Sequence, residues 1–218
     1  SLPLYNGVKA VEIGIAPDHS LYQLPRPEDK RKPIIFYGTS ITQGGCASRT
    51  GMVHTAILSR RLKQPVINLG FSGNGRMEQP LADLMASVDA AAYVIDCLPN
   101  MNAEEVSART EPLVHTLRKA HPQTPILLVE DRSYSNAFLV KSARDRNQQN
   151  RQALQAVFGK LKSAGVTDLH YLPGSELLGQ DNLGTVDGSH PTDLGFMRMA
   201  DAFEPLLKKI LAASEQRR

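Results

Sequence analysis

A three-layered α/β/α architecture built on a parallel sheet is the fold class this sequence predicts, and three observations predict it. From Pro33 onward, short apolar runs alternate with longer stretches of helical period, the pattern of successive β-α-β units. The short runs are almost continuously apolar, as strands covered on both faces have no solvent side. The 218 residues, 41% of them hydrophobic, also suffice for one substantial core and one main domain.

Taken in chain order, residues 1–32 stand apart. Val11, Ile13 and Ile15 alternate with Glu12 and Gly14 as in a half-buried strand, and the chain then passes Pro17, Pro25 and Pro27 into the charged run Glu28 to Lys32. Too short to fold alone, this segment is expected to be a strap on the main domain or the last strand of an upstream β domain. The main domain then occupies 33–218. Its strands are expected over 34–37, 66–71, 92–98, 126–130 and 169–172. Helices are expected near 52–62, 77–88, 112–119, 144–163 and 192–211, with Pro112 in a first turn, where a missing N–H does no harm.

Composition narrows the function classes. Lys and Arg number 25 against 22 for Asp and Glu, and the basic residues are scattered rather than gathered into a stripe, so nucleic acid binding has no support. No apolar run approaches the roughly 20 residues a membrane span needs, and the first residues lack the layout of a signal peptide. The chain begins at Ser1 without Met; if a leader has been removed, an extracytoplasmic location in a bacterium, periplasmic or secreted, is expected. Cys46 and Cys97 show neither CxxC spacing nor the density of a disulfide scaffold, and read as two quiet thiols rather than zinc ligands.

In an open parallel sheet the ligand site lies beyond the carboxyl ends of the strands, where loops converge and helix N-termini point. Four stretches there carry chemistry. The first, Gly38 to Gly45, puts Ser40 at a strand-to-loop turn between glycines, which suits an exposed nucleophile but equally an N-cap serine or a phosphate cradle; no Gly-Lys-Ser or Gly-Lys-Thr follows to make it a Walker loop. The second, Gly70 to Gly75, offers closely spaced backbone N–H groups, as an oxyanion site or a plain glycine turn does. The third, Asp96 to Asn102, places the amides of Asn100 and Asn102 beside Pro99, where Asn can donate to an oxyanion or simply make a turn. The fourth, Val186 to Asp193, holds Asp187 and His190 with two residues between them, close enough on one turn for the carboxylate to take the Nδ1 proton and leave Nε2 facing outward. Asp168 and His170 alternate on a strand and read as surface residues rather than ligands.

Together the four blocks resemble the SGNH (GDSL-like) hydrolases, whose sequences carry Ser, Gly, Asn and a C-terminal Asp-x-x-His in that order. The resemblance covers roughly 33–211 and implies a flavodoxin-like fold with a five-stranded parallel sheet of order 2-1-3-4-5. It implies Ser40 as nucleophile, Asp187 and His190 as its partners, and an oxyanion hole of the Ser40 and Gly73 N–H groups and the Asn100 side chain. Three positions depart from the commoner family pattern: Gly38-Thr39-Ser40-Ile41 for Gly-Asp-Ser-Leu, Asn74 for Asp, and Leu98-Pro99-Asn100-Met101 for Gly-x-Asn-Asp. The last leaves Asn102 as the alternative third donor.

The implied reaction is two-step acyl transfer with no cofactor and no metal, because the three donors stabilise the oxyanion that a Lewis acid would otherwise neutralise. The surrounding loops are mainly Gly, Ser, Thr, Asn and charged residues, with Phe71, Leu98 and Met101 for a small apolar pocket, so the expected substrate is a short acyl ester, acetyl above all, of a carbohydrate. Hydrolysis of lipid, lysophospholipid or thioester substrates is the alternative, and a non-catalytic carbohydrate- or phosphate-binding module the alternative from another class. The stretch 130–147, with Arg132, Tyr134, Phe138 and Arg146, reads as a substrate-side wall or lid, or as solvated loop; Arg132 and Tyr134 are its candidate substrate contacts. The expected partner is a small-molecule or polysaccharide ester, with the oligomeric state open.

Overall fold

The computed structural model describes residues 3–25, 27 and 32–216. Five strands, β1 (Ile34–Thr39), β2 (Val66–Phe71), β3 (Ala92–Asp96), β4 (Ile126–Val129) and β5 (Leu169–Leu172), form one parallel sheet in the order β2-β1-β3-β4-β5. Six helices accompany it: α1 (Ser40–Gln43), α2 (His54–Leu62), α3 (Gln79–Ala86), α4 (Ala103–Ala120), α5 (Lys141–Ser163) and α6 (Asp193–Glu215). This is the expected architecture and strand order.

Alternation along the strands divides the core into two layers. Ile34, Phe36, Val94, Leu127 and Val129 face α2 and α6, meeting Ile57, Leu58, Phe196, Phe203 and Leu207. Ile35, Tyr37, Tyr93, Ile95, Ile126 and Leu128 face the opposite way onto Met85, Val114, Leu117, Leu154 and Leu161 of α3, α4 and α5. The order reverses direction at β1, whose neighbours are β2 and β3. Loops leaving the carboxyl ends of β1 and β3 therefore part to opposite faces and leave a crevice between them, the place where this topology binds ligands.

Three expectations are corrected. The strand read from Val11 to Ile15 does not form: the described residues before Pro33 contain no strand or helix, and Val11 and Ile13 are two-thirds exposed. A lone alternating run gains nothing from extension without a sheet edge to pair with. The charged run from Glu28 to Arg31 lies outside the described residues. Second, the fourth helix starts at Ala103, not near Pro112, which sits in its interior. Asn102 caps it: its side chain accepts from Glu105 N–H, and the Glu105 carboxylate accepts from Asn102 N–H, a reciprocal capping box. Third, β2 is not buried on both faces; as an edge strand it leaves Ile67 and Phe71 partly exposed.

Candidate active site

The first loop follows β1 without a break. Thr39 caps the single turn of α1, its hydroxyl accepting from Ile41 N–H at 3.3 Å, which makes Ser40 the first helical residue. Gly44, at φ +111° where a side chain is strained, ends that turn by donating to the Ser40 and Ile41 carbonyls. The sharp start and stop leave Ser40 half-buried at the carboxyl edge of the sheet, where its Oγ lies 2.9 Å from His190 Nε2.

His190 comes from the segment before α6. Its Nδ1 lies 2.7 Å from Asp187 Oδ2, while Asp187 Oδ1 accepts from the backbone N–H groups of Ser189 at 2.9 Å and His190 at 2.7 Å. One carboxylate thus closes the turn with one oxygen and orients the imidazole with the other. Burial alone would push the Asp187 carboxyl up; the His190 ring and the two N–H groups outweigh it and hold the group down to about 2. Ser40, His190 and Asp187 form one unbroken hydrogen-bonded chain, with Nε2 turned to the serine as the sequence spacing implied.

The second and third loops close the other side. Gly73 lies in the turn after β2 at φ +71°, and nothing stands within 4 Å of where its Cβ would be. The turn is fixed on either side of it: Asn74 N–H donates to the Phe71 carbonyl at 3.1 Å, and a Cβ on Gly75 would stand 2.1 Å from the Gly38 carbonyl oxygen. Gly38 and Gly70 are pressed in the same way, with Thr42 Oγ1 at 2.1 Å and Gln43 N at 2.0 Å from their would-be Cβ positions. The loops therefore touch backbone to backbone.

Asn100 ends a short 3₁₀ turn after β3 and donates through Nδ2 to the Asn74 carbonyl at 2.7 Å, which ties the third loop to the second. That turn is held from behind by α5. Arg146 donates to the Pro99 carbonyl at 2.7 Å and the Met101 carbonyl at 3.0 Å, and Asn150 donates to Met101 at 2.9 Å. Asn102 uses its side-chain oxygen in the helix cap, while Asn100 is tied to the second loop through Nδ2. Leu98 and Met101 are buried in the core rather than lining a pocket; of the three apolar residues expected there, only Phe71 reaches the surface.

Arg132, expected as a substrate contact, is only 2% exposed. Its Nε donates to the Ser189 carbonyl at 2.9 Å, its Nη2 to Ser189 Oγ at 2.6 Å and its Nη1 to Asp131 Oδ1 at 2.9 Å. The guanidinium points inward because Asp131, wholly buried at the end of β4, draws it there; Asn147 Nδ2 satisfies the other Asp131 oxygen at 2.7 Å. Arg132 thus supports the turn that carries Asp187 and His190 instead of facing substrate. Tyr134 is half-buried. Its ring packs 5.4 Å from the Arg132 guanidinium carbon and, with Asn136, Arg146, Asp187 and Ser189, lines a shallow depression beside the turn. The loop carrying it is pinned by Ser135 N–H donating to the Gly188 carbonyl at 3.0 Å, while Phe138 and Leu139 at its tip stay exposed.

Sequence reasoning missed Asp131, Asn147 and Asn150, because a charge or amide in a strand end or helix gives no sign of pointing inward. The capping box from Asn102 to Glu105 was a readable signal that the fourth helix begins at Ala103. Both thiols are free: Cys46 is exposed, and burial pushes the Cys97 thiol well up.

The model of the GDSL-like lipase/acylhydrolase family matches residues 31–208. The chain belongs to that family. Among solved structures, a Bacteroides ovatus protein described as a GDSL-like lipase is 39% identical and superposes with a TM-score of 0.81, over 85% of this chain and 55% of that one. A salicylyl-acyltransferase from a tetracycline biosynthetic pathway, 21% identical, gives 0.71 over 82% of this chain and 55% of that one. A family two carbohydrate esterase from Clostridium thermocellum, solved with cellohexaose, is 17% identical and gives 0.67 over 87% and 67%. The chain thus spans little more than half the length of the first two, and the third shares its fold. No curated protein sequence matches the chain. Among the described residues, no helix of this GDSL-like chain is long and apolar enough to cross a membrane.

Proposed function

We propose that this GDSL-like protein is a serine esterase that removes short acyl groups, acetyl above all, from carbohydrate hydroxyls. The observation that carries the proposal is the hydrogen-bonded chain from Ser40 Oγ through His190 to Asp187; the Ser40 and Gly73 N–H groups and the Asn100 side chain are the donors proposed to go with it. His190 Nε2 takes the Ser40 proton as Oγ attacks the ester carbonyl carbon. The carbonyl oxygen, now negative, is stabilised by the three donors, and the imidazolium gives its proton to the departing alcohol. Water then repeats the sequence on the acyl-enzyme and releases the acid.

The small acyl group is supported by the burial of Leu98 and Met101, which leaves Phe71 at the surface of the three apolar residues expected to line a pocket. The carbohydrate alcohol is supported by the polar make-up of those loops and by precedent in the cellohexaose-bound esterase of the same fold. One observation favours the rival reading of a longer acyl chain: Phe138, Leu139 and Val186 are exposed beside the His190 turn, and such residues are what a lipid-facing rim would use.

Labelling with a fluorophosphonate, read by intact mass and peptide mapping, tests the nucleophile: one adduct on Ser40, absent in Ser40→Ala, is expected. Rates on acetyl, butyryl and octanoyl esters of one alcohol test the acyl group. Each methylene buried in a groove would add about 0.8 kcal/mol, so a steady rise to octanoyl replaces the short-acyl reading with the rival.

A further inference from the structure

Residues 3–5 lie across the turn that follows Ser40, held by three anchors. Gln43 Nε2 donates to the Leu4 carbonyl at 2.8 Å. The Leu4 side chain packs on the core layer beneath α2 and α6, its methyl carbons 3.1 and 3.2 Å from where a Cβ on Gly44 would stand. Cys46 N–H donates to the Tyr5 hydroxyl at 3.2 Å. From Val8 to Leu24 the apolar side chains of the same segment stand out in water, so the docking at Leu4 and Tyr5 is local.

Tyr5 is fixed yet open. Its hydroxyl is pinned to the loop of the nucleophile while the residue as a whole is 66% exposed. A held aromatic ring that buries little on folding gains its apolar contact only when something else covers it. Its position says what. A Cβ on Gly45 would stand 3.3 Å from the Tyr5 hydroxyl oxygen and 3.4 Å from His190 Cδ2, so one unsubstituted glycine separates the phenol from the imidazole edge. Since the imidazolium must hand its proton to the leaving alcohol, that alcohol lies on the imidazole side of the ester carbon, which is the side Tyr5 occupies.

We propose that Tyr5 is a specificity-determining residue: its ring forms one wall of the subsite for the leaving alcohol and selects flat-faced sugar rings by stacking against their C–H face. The inference rests on the esterase reading and deepens it, because it gives residues 3–5 a place in the site itself. The selection acts on the alcohol, not on the acyl group.

The test compares kcat/KM for a mono-acetylated methyl xyloside and for ethyl acetate, which share the acyl group and differ in the alcohol. Tyr5→Ala is expected to lose about tenfold more on the xyloside than on ethyl acetate, mainly through KM, while Tyr5→Phe keeps most of the preference. Free methyl xyloside is expected to inhibit ethyl acetate hydrolysis competitively, and about tenfold more weakly in Tyr5→Ala. Equal losses on both esters would make Tyr5 a prop for the nucleophile turn and overturn the proposal. So would a xyloside preference that survives Tyr5→Ala, or wild-type enzyme that cleaves ethyl acetate without any preference for the sugar ester. Absence of turnover on either ester, with no adduct at Ser40, would remove the esterase reading and this inference with it.

Discussion

Arg132→Lys separates support of the reacting turn from support of the fold. Removing the guanidinium altogether would leave the buried Asp131 carboxylate with Asn147 alone and strip both Ser189 acceptors of their donor. Breaking a buried pair in that way costs about 3–5 kcal/mol, enough to confuse lost turnover with unfolding. Lysine keeps a cation beside Asp131 but cannot reproduce the fork that reaches Asp131 Oδ1, the Ser189 carbonyl and Ser189 Oγ together. One or two charge-assisted bonds to Ser189 are lost, at about 1.5–3 kcal/mol each before any replacement by water. Ser189 is the residue between Gly188 and His190, so its release shifts the imidazole relative to Ser40, and a displacement of about 1 Å costs around 10²-fold in rate. The expected outcome, from kcat and KM on an aryl acetate with thermal melting in parallel, is a folded protein whose kcat falls about 30- to 100-fold while KM stays within about threefold. A variant with clearly lowered melting temperature but kcat close to wild type would show that Arg132 serves the fold only, and the reasoning would fail.

Asn100→Ala should lower kcat about 10²-fold with little change in KM, as for a donor used mainly in the transition state, whereas Asn102→Ala should cost about 1 kcal/mol of stability through the lost cap and leave kcat near normal. Steady-state rates and melts on the pair decide which amide faces the reaction. Asp187, held down to about 2, stays charged across any practical assay, and its contribution to stability, present above its ordinary value of 3.8, fades only as pH falls toward 2. Asp187 should therefore add no proton to the acid limb of kcat/KM; an extra proton setting in near pH 4 would contradict this. Burial pushes the Asp96 carboxyl up to about 7, and its Oδ2 has no partner among the described residues. Its raised value means that stability is lost as pH rises from about 3.8 to 7, so Asp96→Asn should raise the melting temperature at pH 8 and much less at pH 4. His54 slopes the other way: packed among Phe36, Phe196 and Phe203 and pushed by burial down to about 3, it should lose stability as pH falls below 6.5, and melts of His54→Phe should lack that slope.

The strands were legible because continuous apolar runs flanked by turn residues leave few other solutions, and β1, β4 and β5 appear within two residues of where the sequence puts them. The order of Ser, Gly, Asn and His along the chain was legible for a related reason: each stands just after a strand or before a capped helix. Arg132 was misread because position in a loop reports nearness to the crevice and says nothing of direction; only the buried carboxylate of Asp131 turns it inward. The start of the fourth helix was missed although the cap signal was in plain view, since an amide near Pro99 fits a plain turn until Glu105 is counted. The alternation of Val11 to Ile15 reports what a segment would do beside a sheet edge, and among the described residues none lies beside it.

The glycines beneath Ser40 have a consequence for how such a protein can change. With no room for even a methyl group at Gly38, Gly70 or Gly75, the backbone around the nucleophile behaves as one casting, and its loops cannot be exchanged or lengthened separately. The exposed margins lie elsewhere, at the segment around Tyr5 and the loop tip at Phe138 and Leu139, whose side chains already stand in open water. New acyl acceptors should therefore be won by redrawing those two margins, and a library that randomised the glycine bed would return mostly unfolded chains.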